Sequence, residues 1–105
     1  MRRGEYAPQQ PLAMSILDAA NLAALRWHLD VAVEWCEVGG DGWTIVAEAA
    51  AFAAEGAARR LEGAEADRLR VVAGVCRGAA ASPSREALPM LREVASEVRV
   101  VTVWS

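Results

Sequence analysis

Apolar residues recur at helical spacing along most of this chain, and polar or small residues interrupt them at four places. The first periodic stretch opens at Ser15, a good N-cap residue, with Asp18 at the third helical position to complete a capping-box-like pair. It runs to about Val38 and stops at Gly39-Gly40, where a left-handed residue can close a helix. Projected at 100° per residue, Arg26, Asp30, Glu34 and Glu37 gather in one arc of roughly 80°. Leu22, Ala24, Leu25, Trp27, Leu29, Val31, Ala32, Val33, Trp35 and Cys36 fill nearly all the rest. An ordinary surface helix buries a single stripe, whereas this one has apolar residues over about two-thirds of its circumference. It is either the central helix of a bundle or a helix that packs on its own chain with one face and on another chain with the other. The second alternative fits better, because so short a chain has few helices with which to surround it.

A second helix is expected from a cap at Asp41, with Gly42, Trp43 and Thr44 in its first turn, to Arg59-Arg60-Leu61. Ile45, Ala49, Phe52 and Gly56 share one face, which the spacing marks as the packed one. Glu55 and Arg59 stand i,i+4 in the favourable order, and the paired arginines suit the helix C-terminus. Gly63 breaks the run. A third helix follows from about Ala64 to Arg77, closed by Gly78, with Leu69, Val72, Ala73 and Cys76 inward. After a linker at 79–84, Pro89 predicts a short turn and then a separate helix from Pro89 to about Glu97, with Leu91, Val94, Ala95 and Val98 on its apolar face.

The two ends differ from this middle. Residues 1–14 include Pro8, Gln9, Gln10 and Pro11, have no period, and read as a flexible arm; Met14 is an alternative start. Residues 98–105, Val-Arg-Val-Val-Thr-Val-Trp-Ser, are β-branched and aromatic, the composition of a strand. A lone strand cannot satisfy its own backbone. It would pair with the same strand of a second copy, with the N-terminal arm, or with a sheet edge on another protein; otherwise the segment continues the helix or crosses the bundle. The expected fold is all-α: a bundle of about four helices over 15–97, with a short extended, strand-like C-terminal segment over 98–105.

Composition narrows the functional classes. With 105 residues the chain is one domain at most. Much of its 54% apolar content is alanine, which favours helix but buries little side chain. A thin core of this kind favours pairing with a second copy or a partner. The net charge of −3 and pI near 5.1 argue against nucleic-acid binding. All eleven basic residues are arginine, which, with the alanine and glycine content, is the expected mark of a GC-rich bacterial genome. Cys36 and Cys76 have no CxxC spacing and read as small buried hydrophobes. No apolar run follows Arg2-Arg3, and none approaches the ~18 residues of a membrane span, so the expected location is cytoplasmic with no membrane association.

Few residues are candidates for chemistry. His28, the only histidine, projects near Trp35, and with Trp27 and Trp35 it could line a pocket for a flat ligand or sense pH. The alternative is a histidine satisfied by a backbone carbonyl among tryptophans that fill a core or an interface. His28 and Cys36 are about 12 Å apart along a helix, too far to share an ion, so no metal site and no cofactor are expected. Asp30, Glu34 and Glu37 form an acidic stripe that could answer a basic partner, Arg59, Arg60 or Arg77 of the same chain, or only water. No serine, threonine or cysteine stands in register with a base. Gly39-Gly40-Asp41-Gly42 lacks the Lys-Ser/Thr of a phosphate loop and follows a helix, so it is a turn. The expectation is a non-enzymatic protein–protein interaction module, a small adaptor, regulator, chaperone or antitoxin-like protein that forms homodimers. Its partner-binding residues would be Trp27, Val31 and Trp35 on the first helix and Val100, Thr102 and Trp104 in the tail. The second reading is a small-molecule-binding bundle with its pocket at Trp27, His28 and Trp35.

Overall fold

A computed structural model of the protein describes residues 16–103, with side chains from 20 to 98. Among the described residues there are four helices and no strand: α1 (Ile16–Val38), α2 (Trp43–Arg60), α3 (Gly63–Ala80) and α4 (Ser84–Val103). Short connections make successive helices neighbours, and α4 returns to α1, so the four close into an up-down-up-down bundle.

α1 ends as its glycines predict. Gly39 takes a left-handed φ of 80°. Its N–H donates to the Cys36 carbonyl at 3.2 Å, and the Gly40 N–H donates to the Trp35 carbonyl at 3.2 Å. That pair of bonds is a Schellman closure. α2 differs at its start: Gly42, not Asp41, holds the N-cap position, and no side chain caps the helix. Gly63, at φ 69°, marks the break between α2 and α3. α3 runs past Gly78, and the Ser82 hydroxyl donates to the Gly78 carbonyl at 2.8 Å to satisfy its last turn.

Among the described residues, all 23 that are buried are apolar, and twelve of them are alanine, so the helices can approach closely. Leu22, Leu25, Leu29, Ala32 and Cys36 are the buried row of α1. α3 buries Leu69, Val72, Ala73 and Cys76, and α4 buries Leu91, Val94, Ala95 and Val98, as their periodicity predicts.

Three expectations are corrected. α2 packs with the opposite face: Trp43, Ala47, Ala50, Ala51, Ala54, Ala57 and Ala58 are buried, while Ile45 and Phe52 are exposed. α2 lies between α1 and α3 and must fit both neighbours, which takes an arc of small residues about 120° wide, and only its alanines supply one. α4 is one helix through Pro89 and not two. Pro89 is exposed, so the carbonyl its ring leaves unbonded can turn to water. The same helix continues from Val98 through Val103, where a strand was expected. Val98 falls in the buried row with Ala87, Leu91, Val94 and Ala95, and that burial outweighs the modest helix penalty of β-branched residues.

Candidate interaction face

Around α1, the helical period sets a second apolar row opposite the buried one. Trp27, Val31, Trp35 and Val38 follow each other at spacings of four, four and three residues and therefore share one side. The buried row is taken up by the packing of α1 on α2 and α4, so this second row points away from the bundle. Trp27 is 62% exposed, Trp35 45% and Val38 76%, with Val31 partly buried between the tryptophans. The proportions are inverted relative to an ordinary domain: alanines fill the core, and two tryptophans stand outside it.

Two local contacts orient these rings. The Trp27 indole meets the His28 imidazole edge-on, with centroids 5.2 Å apart and planes at 84°. The His28 Nδ1 lies 2.6 Å from the Ala24 carbonyl, to which it donates in the tautomer that the contact requires. Trp35 leans over the α1–α2 turn, where a Cβ on Gly42 would come within 2.9 Å of its ring. The three residues proposed as a ligand pocket are thus arrayed along an outer helix face. Trp27 and Trp35 are eight residues, or about 12 Å, apart along the axis.

α2 extends the apolar surface in a way its spacing concealed. Ile45 and Phe52 are 73% and 70% exposed, and Ala49 and Gly56, on the same side, are partly covered. The signal was present in the sequence: α2 carries two apolar arcs, and the arc that packs is, after Trp43 in the first turn, all alanine. Arg77 of α3 holds its guanidinium 5.9 Å from the centre of the Phe52 ring and pairs with Glu55 at 2.5 Å. The hydrogen bond from Arg77 keeps the Glu55 carboxyl below its usual range, and the same bond raises Arg77.

The acidic stripe lies on the other flank of α1, toward α4. Glu37 pairs with Arg92, an arginine of α4 outside the set considered from sequence. Asp30, Val33, Glu34, Glu37, Arg92 and Ala95 line an open cleft of about 200 Å³ between the two helices. A smaller set, Glu55, Ala58, Arg59 and Arg70, lines a cleft between α2 and α3. Neither cleft is lined by Trp27, His28 or Trp35.

Both cysteines are free and buried. The Cys36 thiol donates to the Ser84 carbonyl at 3.3 Å, joining the end of α1 to the start of α4. Burial raises its pKa, and the Arg92 charge partly opposes that rise. Burial pushes the Cys76 thiol up to about 11, so neither thiol is poised as a nucleophile at neutral pH.

Of the tail residues expected to bind a partner, Val100 and Thr102 have helical backbone. Their side chains, and Trp104 entirely, lie outside the described residues. No helix among the described residues is long and apolar enough to cross a membrane. No protein-family model, curated protein or solved structure matches the chain.

Proposed function

We propose that this protein is a non-enzymatic interaction module whose docking face is the outer side of α1. The observation that carries this reading is the exposed row of Trp27, Val31, Trp35 and Val38, set opposite a core that α1 has already filled with its leucines. Tryptophan is a costly residue to leave in water and one of those enriched where binding energy concentrates. The neighbouring Ile45 and Phe52 enlarge the apolar surface beyond a scatter of single side chains. The small adaptor, regulator or antitoxin-like classes all work through such a face. A bacterial source fits the arginine-for-lysine usage, and a cytoplasmic location belongs to the same proposal.

The test is native mass spectrometry of the assembly recovered from host cells, for the wild type and a Trp27→Ala, Trp35→Ala double variant. Both side chains stand outside the core, so helical content by circular dichroism should be retained. Loss of assembly mass in the folded double variant supports the docking face. An assembly that survives both substitutions unchanged removes it.

A further inference from the structure

The excess negative charge and the exposed apolar row occupy the same half of the molecule. Residues 16–61, which hold α1 and α2, carry seven carboxylates and three arginines, whereas residues 62–103 carry six of each. From Asp30 to Glu55 there are six carboxylates and no arginine or lysine, and Val31, Trp35, Val38, Ile45 and Phe52 all fall within that stretch. We infer that the face takes an amphipathic helix of another protein, apolar on the side it buries and basic along its edges. The inference rests on the docking face proposed above and adds the chemistry of its partner.

The flanks of the two helices define a seam for such a helix. On α1, Glu37 pairs with Arg92, and Asp30 and Val33 line the cleft toward α4, so the opposite flank, with Ala24, His28 and Trp35, borders α2. On α2, Glu55 pairs with Arg77 and the Glu48 charge acts on the same guanidinium, so that flank faces α3. Ala49, Ala53 and Gly56 stand on the other flank, toward α1, each partly covered. The seam therefore has a floor of small residues, with Trp27 and Trp35 exposed along one side and Ile45 and Phe52 along the other. A third helix packs between two neighbours in this way, with its side chains at i, i+3, i+4 and i+7 in the seam.

Size and charge select the occupant. Trp27 to Val38 spans about 17 Å, and two helices side by side are about 20 Å across, which gives roughly 340 Å². That is well short of the ~600–1,000 Å² each partner gives to a stable interface between folded domains, but it matches one helix of about twelve residues. Glu34 stands seven residues after Trp27 and four before Val38, within the row; it is exposed and makes no ion pair among the described residues. Glu48, also exposed, stands three residues after Ile45 and four before Phe52, at the opposite edge. Arginines or lysines along the margins of an incoming helix meet carboxylates on both sides. A second copy of this chain would instead bring like charge against like.

The probe is a synthetic helix of about fifteen residues, with leucines at i, i+3, i+4 and i+7, arginines flanking them and no tryptophan. It is titrated into the full chain, with tryptophan emission as the readout, beside a companion peptide bearing glutamate in place of each arginine. The arginine peptide should bind at least about tenfold more tightly than the glutamate peptide. Glu34→Arg should weaken the arginine peptide about tenfold and strengthen the glutamate peptide. Glu65→Arg makes the same change of charge on the first turn of α3, away from the seam, and should do neither. A chain that binds neither peptide, that binds both equally, or that responds alike at positions 34 and 65 overturns the inference. The docking face is judged separately by the assembly measurement above. An assembly with another protein that is lost in the tryptophan double variant, from a chain with no preference for the arginine peptide, keeps the face and removes the basic helix. An assembly of this chain alone, lost in the same variant, puts a second copy on the face and also removes it.

Discussion

A methyl group added at Gly42 would meet the Trp35 ring at 2.9 Å, whereas one added at Gly39 would meet nothing within 4 Å. The two glycines of one turn therefore predict different failures. Gly39→Ala forces an L side chain to φ 80° and should cost about 1–2 kcal/mol by chemical denaturation. Gly42→Ala strains no backbone angle; it displaces the half-exposed Trp35 ring, so its first sign should be a shift in tryptophan fluorescence with little loss of stability. A large stability loss at 42 with unchanged fluorescence would contradict the Trp35 contact. Cys76 makes a pH prediction of definite sign. Its folded pKa, about 11, stands above the ordinary value of 9.0. Between those values the unfolded chain loses the proton and the folded chain keeps it, so stability is full below pH 9 and falls as pH rises toward 11. The loss approaches 2–3 kcal/mol on the order-of-magnitude scale of such shifts. Urea denaturation at pH 8 and pH 11 should show it, and Cys76→Ala should flatten it.

Element by element, small residues decided what packs. In α2 the period allowed two apolar faces, and the bulkier one is outside. Ala54→Leu should therefore overpack the core and cost roughly 1–3 kcal/mol, while Phe52→Ser, compared at a concentration where both proteins are monomeric, should change the melting temperature little. The reverse order would mean that the α2 faces are exchanged. α3 and the apolar row of α4 were legible because Leu69, Val72 and Cys76, and Leu91, Val94 and Val98, recur at helical spacing on one side, with Val71 of α3 standing outside that row. The continuation of α4 through Pro89 and Val98–Val103 was not legible, since local signals at a proline and a β-branched run favour a break. What overrides them is burial of Val98 in the row begun by Ala87, a contact made across the bundle.

For the molecule as a whole, the outer surface of the α1–α2 hairpin holds what the core does not use: two tryptophans, an isoleucine, a phenylalanine and Val38. Association on such a surface has an apolar part and a charged part, and salt separates them. Adding salt should weaken binding of the arginine peptide only in part, because the rim carboxylates are screened and apolar contact is not. Titration of that peptide across a range of sodium chloride concentrations would show this. Binding lost entirely as salt rises would point to charge pairing alone and to Asp30, Glu34 and Glu37 in place of the tryptophans.

Helix number, the turn at Gly39-Gly40 and the surplus of apolar circumference on α1 could be read from the chain alone. Each depends on spacing within one element, and the 3.6-residue period is a local property of the backbone. Which arc of α2 faces inward, which arginine answers Glu37 and how far α4 extends depend on distances between elements. Side-chain volume and neighbours from another helix set those distances, and no periodicity within a single segment encodes them. The candidate face divides in the same way: Trp27, Val31 and Trp35 follow from their own helix, whereas Ile45 and Phe52 join it only because the alanines of α2 fit between α1 and α3.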